Sequence, residues 1–468
     1  MLKVDPLEDP GDTAKNALRV GVEEEFLLYD VRTGELAARA PALIEMLERS
    51  GSSARSELQS TQVEVATEPS RSLKSITSGL LQNRKRLTAA SHELDLAVVP
   101  AGLPPGASPL HTPVDDPRYR KMFERYGAAA QHYQGCGTHV HVEVPDRDVA
   151  VAVLGHIRPW LPLLVAIGGN SPYCLDTDTH FSSWRIAMQR RYPLAGLPPL
   201  LRSAAEYDAT VTGLVEAGAL EDQHTCFWLA RLSDKYPTIE IRASDVGLTA
   251  DDSALQAVLS RAIVLSALRD AESGMAPPDI DQQWADAAVW AAARFGLNGP
   301  LIDPVRREQL PATAMLAILL EKTTDALCEA GDYYNVRTLL SGVKRRGTGS
   351  QLQRTAGSSG PKAVLSLLTT ASCTAEGLRD GSTALTRAVD NDWSGMKMEN
   401  KGDQPTNRTP EPTPPAEDQT HLVHEEHDPD TGPQPKAAGG AVVVIAAVIA
   451  IAFLVVAVYL GGSLFGAW

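Results

Sequence analysis

The chain is 468 residues long, which is enough for one large or two ordinary domains with a substantial core. Its formal net charge is -15, from 58 acidic and 43 basic residues, and no run of lysine and arginine stands out, which argues against a nucleic-acid-binding protein. The five cysteines are widely spaced and include no C-x-x-C pair, so the sequence favours a reducing compartment over a disulfide framework.

The amino-terminal part of the chain predicts a short disordered segment followed by strands. Residues 1–19 are polar and acidic, without the apolar stretch that a secretory signal requires. Four short stretches then alternate apolar residues with potential metal ligands, namely residues 21–29, 61–67, 137–144 and 238–242. An alternation with a period of two is typical of a half-buried β-strand.

The polar residues of each stretch lie two positions apart, so they share one face of the strand. A solvated sheet face would also alternate in this way, but such faces usually include lysine, and lysine is absent from these positions. Together the stretches favour one sheet whose polar face holds a divalent metal and a phosphate. Its side chains are Glu23 with Glu25, Gln62 with Glu64, His139 with His141 and Glu143, and Glu240 with Arg242.

Two alternatives concern individual residues of these strands. Glu24 faces away from Glu23 and Glu25, which predicts a structural or solvent-facing role. His139 and His141 would also suit zinc, but zinc sites usually add cysteine or further histidines, so magnesium ranks ahead.

The remaining pattern is largely helical. We expect helices over residues 72–96, from near residue 148, and over residues 252–273, 282–295 and 312–329, with Gly296 and Gly331 after the last two. The mixture of strands and long helices indicates an α+β fold. No regular βαβ period, G-x-G-x-x-G or Walker motif is present, which argues against Rossmann and P-loop nucleotide binding.

The carboxyl-terminal part has a different composition. Residues 391–440 predict a disordered linker that is rich in proline and acidic, since residues 397–436 hold eight prolines and nine acidic residues against four basic ones. Residues 441–461 are uncharged and apolar, and about 20 such residues span the hydrocarbon layer as a helix. We expect a transmembrane anchor there, a short tail over residues 462–468, and a cytoplasmic catalytic domain over residues 20–390.

Several segments, in this order, carry a family resemblance: Gly21-Val-Glu-Glu-Glu-Phe-Leu-Leu, Gly137-Thr-His-Val-His-Val, Asn170-Ser-Pro, Asp178 to Arg185, and Tyr236-Pro-Thr-Ile-Glu-Ile-Arg-Ala-Ser-Asp. Together they resemble the bacterial glutamate–cysteine ligase type 2 family of carboxylate-amine ligases, over residues 20–354. More remotely, the G-x-E-x-E, G-x-H-x-H and I-E-x-R strands resemble glutamine synthetase, whose fold these ligases share.

The resemblance implies an antiparallel sheet that forms a funnel with flanking helices, with ATP and an amino-acid substrate at its two ends and magnesium between them. It implies that magnesium is held by Glu23, Glu25, Glu64, His139 and Glu240. It implies that His141 contacts phosphate, that Arg242 contacts the transferred phosphoryl group or the substrate carboxylate, and that Arg354 lies near the nucleotide. It also implies a substrate loop with Asp178, Ser183 and Arg185, in which Arg185 joins His141 and Arg242 as a catalytic group.

Some of these assignments have alternatives. Asp178, Ser183 and Arg185 would equally suit a helix-capping network, and Arg231 could pair with Asp245. A homodimer is a possible assembly.

The chemistry of such a ligase accounts for these residue types. A carboxylate is a poor electrophile, and transfer of a phosphoryl group from ATP turns it into an acyl phosphate that an amine can attack. Because this step brings a carboxylate against a polyphosphate, carboxylate-bound magnesium and a planar guanidinium are needed to offset the charge. The expected function is therefore ATP-dependent amide formation of the glutamate–cysteine ligase type.

Several positions depart from the family pattern. Leu352 stands where relatives usually carry arginine, Gly102-Leu-Pro-Pro where they carry G-T-H-P, and Cys174, Asp176 and His180 where they carry Trp, Gly and Gly. These changes leave the physiological amine open. They also keep a second hypothesis, a membrane-tethered binding or scaffold protein with little catalytic activity. A third, a metal-dependent hydrolase, would need an open metal site and a general base.

Overall fold

Strands and helices alternate irregularly along the residues that a computed structural model describes, 17–106 and 112–372. The strands are β1 (Val20–Asp30), β2 (Arg55–Ser56), β3 (Gln62–Ala66), β4 (Leu96–Val99), β5 (Gly137–Glu143), β6 (Tyr173–Cys174), β7 (Thr177–Asp178), β8 (Ala230–Leu232), β9 (Thr238–Asp245), β10 (Pro300–Asp303) and β11 (Glu308–Pro311). The helices are α1 (Ala40–Arg49), α2 (Leu73–His92), α3 (Pro117–Tyr126), α4 (Ala128–Gln131), α5 (Arg147–Ile157), α6 (Leu161–Ile167), α7 (Trp184–Gln189), α8 (Ala204–Glu216), α9 (Ala250–Glu272), α10 (Gln282–Phe295), α11 (Ala312–Glu329), α12 (Tyr333–Arg346), α13 (Gly349–Gly357) and α14 (Pro361–Ala371).

One seven-stranded sheet organises the described residues. Its strands follow the order β2-β3-β1-β5-β9-β8, and β4 pairs with the carboxyl end of β1. Every described pair in this sheet is antiparallel, as predicted. The four strands predicted from alternating polarity, β1, β3, β5 and β9, are adjacent to one another at its centre.

The apolar faces of these strands pack on helices, as the alternation predicts. Val22, Val140 and Ile241 belong to the largest buried cluster, together with residues of α5, α6 and α9. Phe26 and Val63 belong to a second buried cluster that includes residues of α1, α2 and α14. Because helices cover one side of the sheet, the polar side chains are left on the other.

The helix bounds differ slightly from the predicted ones. Helix α2 ends at His92 instead of residue 96, because Asp95 adopts a left-handed φ of 54° and the chain turns into β4. Helix α9 begins at Ala250, where Thr249 and Asp252 form a capping box. Helices α10 and α11 have the predicted bounds.

Membrane-span criteria select a segment of the core. Within the described residues, Arg147–Ile167 has the length and hydropathy of a membrane span, but it consists of α5, a 3₁₀ turn and α6 and is mostly buried inside the fold. The predicted linker over residues 391–440, the predicted anchor over residues 441–461 and the tail after it lie outside the described residues.

Candidate active site

Strand register places the predicted polar residues in one row across the sheet. Residues directly opposite each other in antiparallel strands have Cβ atoms about 5 Å apart, so their side chains meet on one face. Three such pairs join β3, β1, β5 and β9: Glu64 with Glu25, Glu23 with His139, and His141 with Glu240.

A bulge in β9 lies beside this row. Two residues of β9, Arg242 and Ala243, stand opposite His139 alone. Bulges of this kind re-aim a side chain and are common beside active sites. Here the Arg242 guanidinium contacts the Glu240 carboxylate and lies with Nη1 3.3 Å from His139 Nδ1. The predicted arginine is thus in contact with the predicted metal ligands.

His139 stands between two acidic groups. Its Nδ1 lies 3.7 Å from Glu23 Oε2, and its Nε2 lies 3.6 Å from Glu25 Oε1. It forms one acidic trio with Glu23 and Glu240 and a second with Glu25 and Glu64. Within each trio the potential ligand atoms lie within 4.8 Å of one another. Ligands about 2.1 Å from magnesium are at most about 4.2 Å apart, so each trio needs only a small movement to hold a cation.

The row of polar side chains lines a cavity of about 460 Å³, a volume typical of small-molecule sites. Of the eleven residues that the family resemblance assigns to the site, eight line the cavity: Glu23, Glu25, Glu64, His139, His141, Arg185, Glu240 and Arg242. The other three, Asp178, Ser183 and Arg354, do not line it.

Two carboxylates of the cavity are matched by cationic or hydrogen-bonding groups. Burial raises the pKa of Glu23, but the neighbouring imidazoles of His139 and His141 outweigh it and hold that pKa well below its usual range. Burial also raises the pKa of Glu240, and the charges of Arg231 and Arg242 bring it well below its usual range. Both groups are therefore held ionised.

Two other carboxylates are crowded by like charge. Burial and the charges of Glu23 and Glu25 raise the pKa of Glu64 to about 8. Burial and the charges of Glu25 and Glu64 raise the pKa of Glu57 well above its usual range. This part of the cavity holds more negative charge than the protein neutralises, which is the condition that a divalent cation relieves.

Sequence reasoning missed Glu57, although its carboxyl lines the cavity. It lies in the irregular segment between β2 and β3, where no alternation marks it. The available signal was an acidic residue just before the Gln62–Glu64 strand.

His141 provides an independent test of whether a ligand fits here. Its Nδ1 lies 2.9 Å from Thr238 Oγ1, while its buried Nε2 makes no hydrogen bond and lies 3.4 Å from Glu23 Oε2. Buried polar atoms are nearly always hydrogen-bonded, so this nitrogen indicates a missing polar partner. The oxygen-rich trios contain no cysteine, and the residues present therefore fit magnesium with phosphate better than zinc.

Arg185 and Ser183 take part in a buried network around Asp245. Arg185 Nε donates to Asp245 Oδ1 at 2.8 Å and Nη2 donates to the Ser244 carbonyl at 2.6 Å. Ser183 Oγ donates to the same carboxylate at 2.7 Å and caps α7 by accepting from Ile186 N. For Ser183, these contacts match the capping alternative.

Arg231 does not pair with Asp245, so that alternative is wrong. The register of β8 with β9 puts Arg231 opposite Glu240, and its Nε and Nη2 lie 2.8 and 3.2 Å from that carboxylate. Asp178 and Arg354 also pair with each other, through two 2.8 Å hydrogen bonds that join β7 to α13 away from the cavity.

The departures from the family pattern have a structural context. Gly102 is the residue that this segment shares with the family pattern, and a Cβ there would lie 2.5 Å from Asp245 Cγ, so the position requires glycine. Asp176 and His180 have φ values of 59° and 61°, in the left-handed region that glycine adopts at no steric cost. Leu352 packs against the second buried cluster.

The chain matches the family model described as glutamate–cysteine ligase family 2 (GCS2) over residues 19–356. A protein of Saccharopolyspora erythraea provisionally named glutamate–cysteine ligase 2-2 is 42% identical over 372 residues, covering 78% of this chain and 95% of its own length. A protein of Nocardia farcinica provisionally named glutamate–cysteine ligase 2-1 is 40% identical over 339 residues, covering 72% and 88%.

Solved structures share the fold. Glutamate–cysteine ligase from Francisella tularensis, in complex with AMP, superposes with a TM-score of 0.57 at 13% identity, covering 80% of this chain and 91% of that one. A bifunctional glutathione synthetase from Pasteurella multocida superposes with a TM-score of 0.55 at 13% identity, covering 76% and 52%. At this identity the likeness is one of fold alone, and it confirms the predicted antiparallel sheet with flanking helices.

Proposed function

The chain belongs to glutamate–cysteine ligase family 2, and from that premise we propose that it is an ATP-dependent carboxylate-amine ligase of the glutamate–cysteine ligase type. In the proposed reaction, the γ-carboxylate of glutamate or a similar acid takes the γ-phosphoryl group of ATP. The amine of an amino acid such as cysteine then attacks the acyl phosphate. The C–N bond forms as the bond to phosphate breaks, so the products are an amide, ADP and phosphate.

The observation that carries the proposal is the pair of acidic trios that share His139 inside the cavity, with Arg242 in contact with one of them. A binding pocket for a neutral ligand has no use for this many unneutralised carboxylates. Phosphoryl transfer does need such carboxylates, because they hold the metal ions that, with a guanidinium, offset the negative charge on a transferring phosphoryl group.

The proposed roles follow from position. Magnesium would supply positive charge that offsets the charge of the polyphosphate, and Glu23, Glu25, Glu64, His139 and Glu240 would hold it. Arg242, oriented by Glu240, donates to the transferred phosphoryl oxygens, and the free Nε2 of His141 binds a phosphate oxygen. Arg185 is a positioning residue, since it donates to backbone carbonyls on either side of the bulge.

The test is product analysis with the purified chain, ATP, magnesium, glutamate and a panel of amino-acid amines. We expect ADP and phosphate in equal amounts, with a new amide detected by mass spectrometry. AMP and pyrophosphate would contradict the acyl phosphate route. Nucleotide binding without turnover would favour the tethered binding protein, and substrate hydrolysis without nucleotide would favour the hydrolase.

We further propose that residues 441–461 anchor this ligase to the membrane from the cytoplasmic side. The support is the uninterrupted apolar run in the sequence and the acidic, proline-rich linker before it. Truncation after Asn391 should move the protein from the membrane fraction to the soluble fraction with its activity unchanged. A truncated protein that stays with the membrane, or that precipitates, would contradict the anchor.

A further inference from the structure

Arg55 lines the cavity and has no role in the scheme above. Arg55 of the edge strand β2 lies opposite Glu64, with Nη1 3.5 Å from Glu64 Oε1 and 3.9 Å from Glu23 Oε1. Its side chain is 53% exposed, whereas Arg231 and Arg242, which also contact cavity carboxylates, are 11% and 19% exposed. Arg55 therefore reaches in from the rim without being packed into the core.

Tyr236 lies on the other side of the cavity from Arg55. It belongs to the turn between β8 and β9, at the opposite edge of the sheet from β2. Tyr236 is 46% exposed, and its ring meets His141 edge to face at 5.8 Å between centroids. Arg55 and Tyr236 therefore line the cavity from its two edges, and both side chains are substantially exposed.

Arg55 competes with a divalent cation for the same carboxylates. Glu23 belongs to one acidic trio and Glu64 to the other, and Arg55 lies against both carboxylates. A cation held by those carboxylates repels the guanidinium and neutralises the negative charge that attracts it. The freed side chain then stands over a cavity that receives a polyphosphate, the anion that a guanidinium binds with two parallel hydrogen bonds.

We propose that Arg55 exchanges partners during ligand binding: it pairs with Glu23 and Glu64 before metal binds, and it moves onto the polyphosphate of the nucleotide once metal is held. The inference rests on the proposed function and adds a phosphate-binding residue to it. Arg55 thereby offsets part of the excess negative charge before the metal arrives.

The exchange predicts effects of opposite sign for the two ligands in Arg55→Ala. Magnesium alone should bind roughly threefold more tightly, because it no longer displaces a half-exposed ion-pair partner. A non-hydrolysable ATP analogue, added with saturating magnesium, should bind about tenfold more weakly, because one charge-assisted phosphate contact is lost. Both dissociation constants are measured by titration calorimetry, so the readout does not depend on turnover.

Two variants control for charge and for folding. Arg120→Ala removes the same charge from α3, where Arg120 is 61% exposed, pairs with Asp115 and does not line the cavity. It should leave both dissociation constants within about twofold, as is usual for an exposed ion pair. Arg55→Lys keeps the charge without the planar fork, so magnesium binding should stay near wild type while the analogue binds more weakly.

The outcomes separate the two proposals. A wild-type chain that binds neither magnesium nor the analogue overturns the proposed function itself. A wild-type chain that binds both, with Arg55→Ala unchanged for both ligands, overturns only the exchange. Equal losses for both ligands in Arg55→Ala also overturn it, because they would show that Arg55 supports the cavity structurally.

Discussion

Two neighbouring glutamates of β1 point to opposite sides of the sheet and meet different surroundings. Glu24 faces the core, where Nε and Nη2 of Arg84 contact its carboxylate and the Ser253 hydroxyl donates to it at 2.6 Å. Glu25 faces the cavity, where it accepts a 2.6 Å hydrogen bond from Gly137 N and has His139 as its described ion-pair contact. The two residues are nearly equally buried, at 1% and 6% exposure.

The difference lies in how each charge is neutralised. Removing a carboxylate from water is costly wherever it happens, and the protein offsets that cost for Glu24 with a buried guanidinium. Near Glu25 the protein places two further carboxyl groups, Glu64 and Glu57. Their raised pKa values reflect burial and the crowding of like charges. A buried carboxylate whose charge is neutralised by a cation of the same protein is structural. A carboxylate in a cavity whose charge is not neutralised in this way is a candidate for function.

Glu240 breaks this division, because it lines the cavity and is also ion-paired with Arg231 and Arg242. Sequence reasoning treats it like Glu23 and Glu25, as a metal ligand with no structural role assigned. The ion pairs change that expectation: Glu240→Gln should lower the free energy of unfolding by about 3 kcal/mol, because two buried cations lose their partner. It should also abolish ligation. Urea denaturation combined with the ADP-release assay would show both losses, and an unaltered unfolding midpoint would contradict the structural role.

Glu24→Gln makes the smallest chemical change on the core side of β1. It leaves Arg84, which is fully buried, without its counter-ion. Breaking a buried pair in this way costs about 3–5 kcal/mol of folding free energy. The activity per folded molecule should stay near wild type, since the cavity is untouched. Chemical denaturation measures the first quantity and active-site titration the second; loss of specific activity in a fully folded sample would place Glu24 in the site.

Glu25→Gln is the matched change on the cavity side. The amide oxygen can still accept the hydrogen bond from Gly137 N, so the fold should hold, and relief of like charge should keep the unfolding free energy the same or raise it. Activity should fall about a hundredfold to a thousandfold, or roughly 3–4 kcal/mol of transition-state stabilisation. Steady-state kinetics at saturating magnesium provide the measurement. Wild-type rates in this variant would show that Glu25 is not a metal ligand.

Alternation of polarity was enough to predict the cavity face of the sheet, because the side on which a strand residue points is a local property. Glu23, His139 and Glu240 were therefore placed on one face before any register was known. The clustering into two trios depends on register, which pairs Glu23 with His139 and Glu25 with Glu64.

What the sequence left out depends on non-local geometry. Arg231 pairs with Glu240 because β8 lies beside β9 in a particular register, and no spacing in the sequence distinguishes this partner from Asp245. Glu57 comes from an irregular segment, where side-chain direction follows no period. Asp178 meets Arg354 only because β7 and α13 come together from distant parts of the chain. At these positions the role of a side chain depends on tertiary packing, which the sequence pattern does not predict.

Ser183 is the sharpest remaining case, since the family resemblance assigns it to substrate and its contacts assign it to structure. Its hydroxyl is buried, donates to Asp245 and caps α7. Ser183→Ala should therefore lower the free energy of unfolding by about 1 kcal/mol, the usual effect of losing a helix cap. Because Asp245 keeps Arg185 and the Ser171 hydroxyl, the network should survive, and KM for both substrates should not change. A rise in KM for one substrate with unaltered stability would support the substrate-binding role of Ser183. It would also mean that a residue outside the cavity lining contacts the substrate when it is bound.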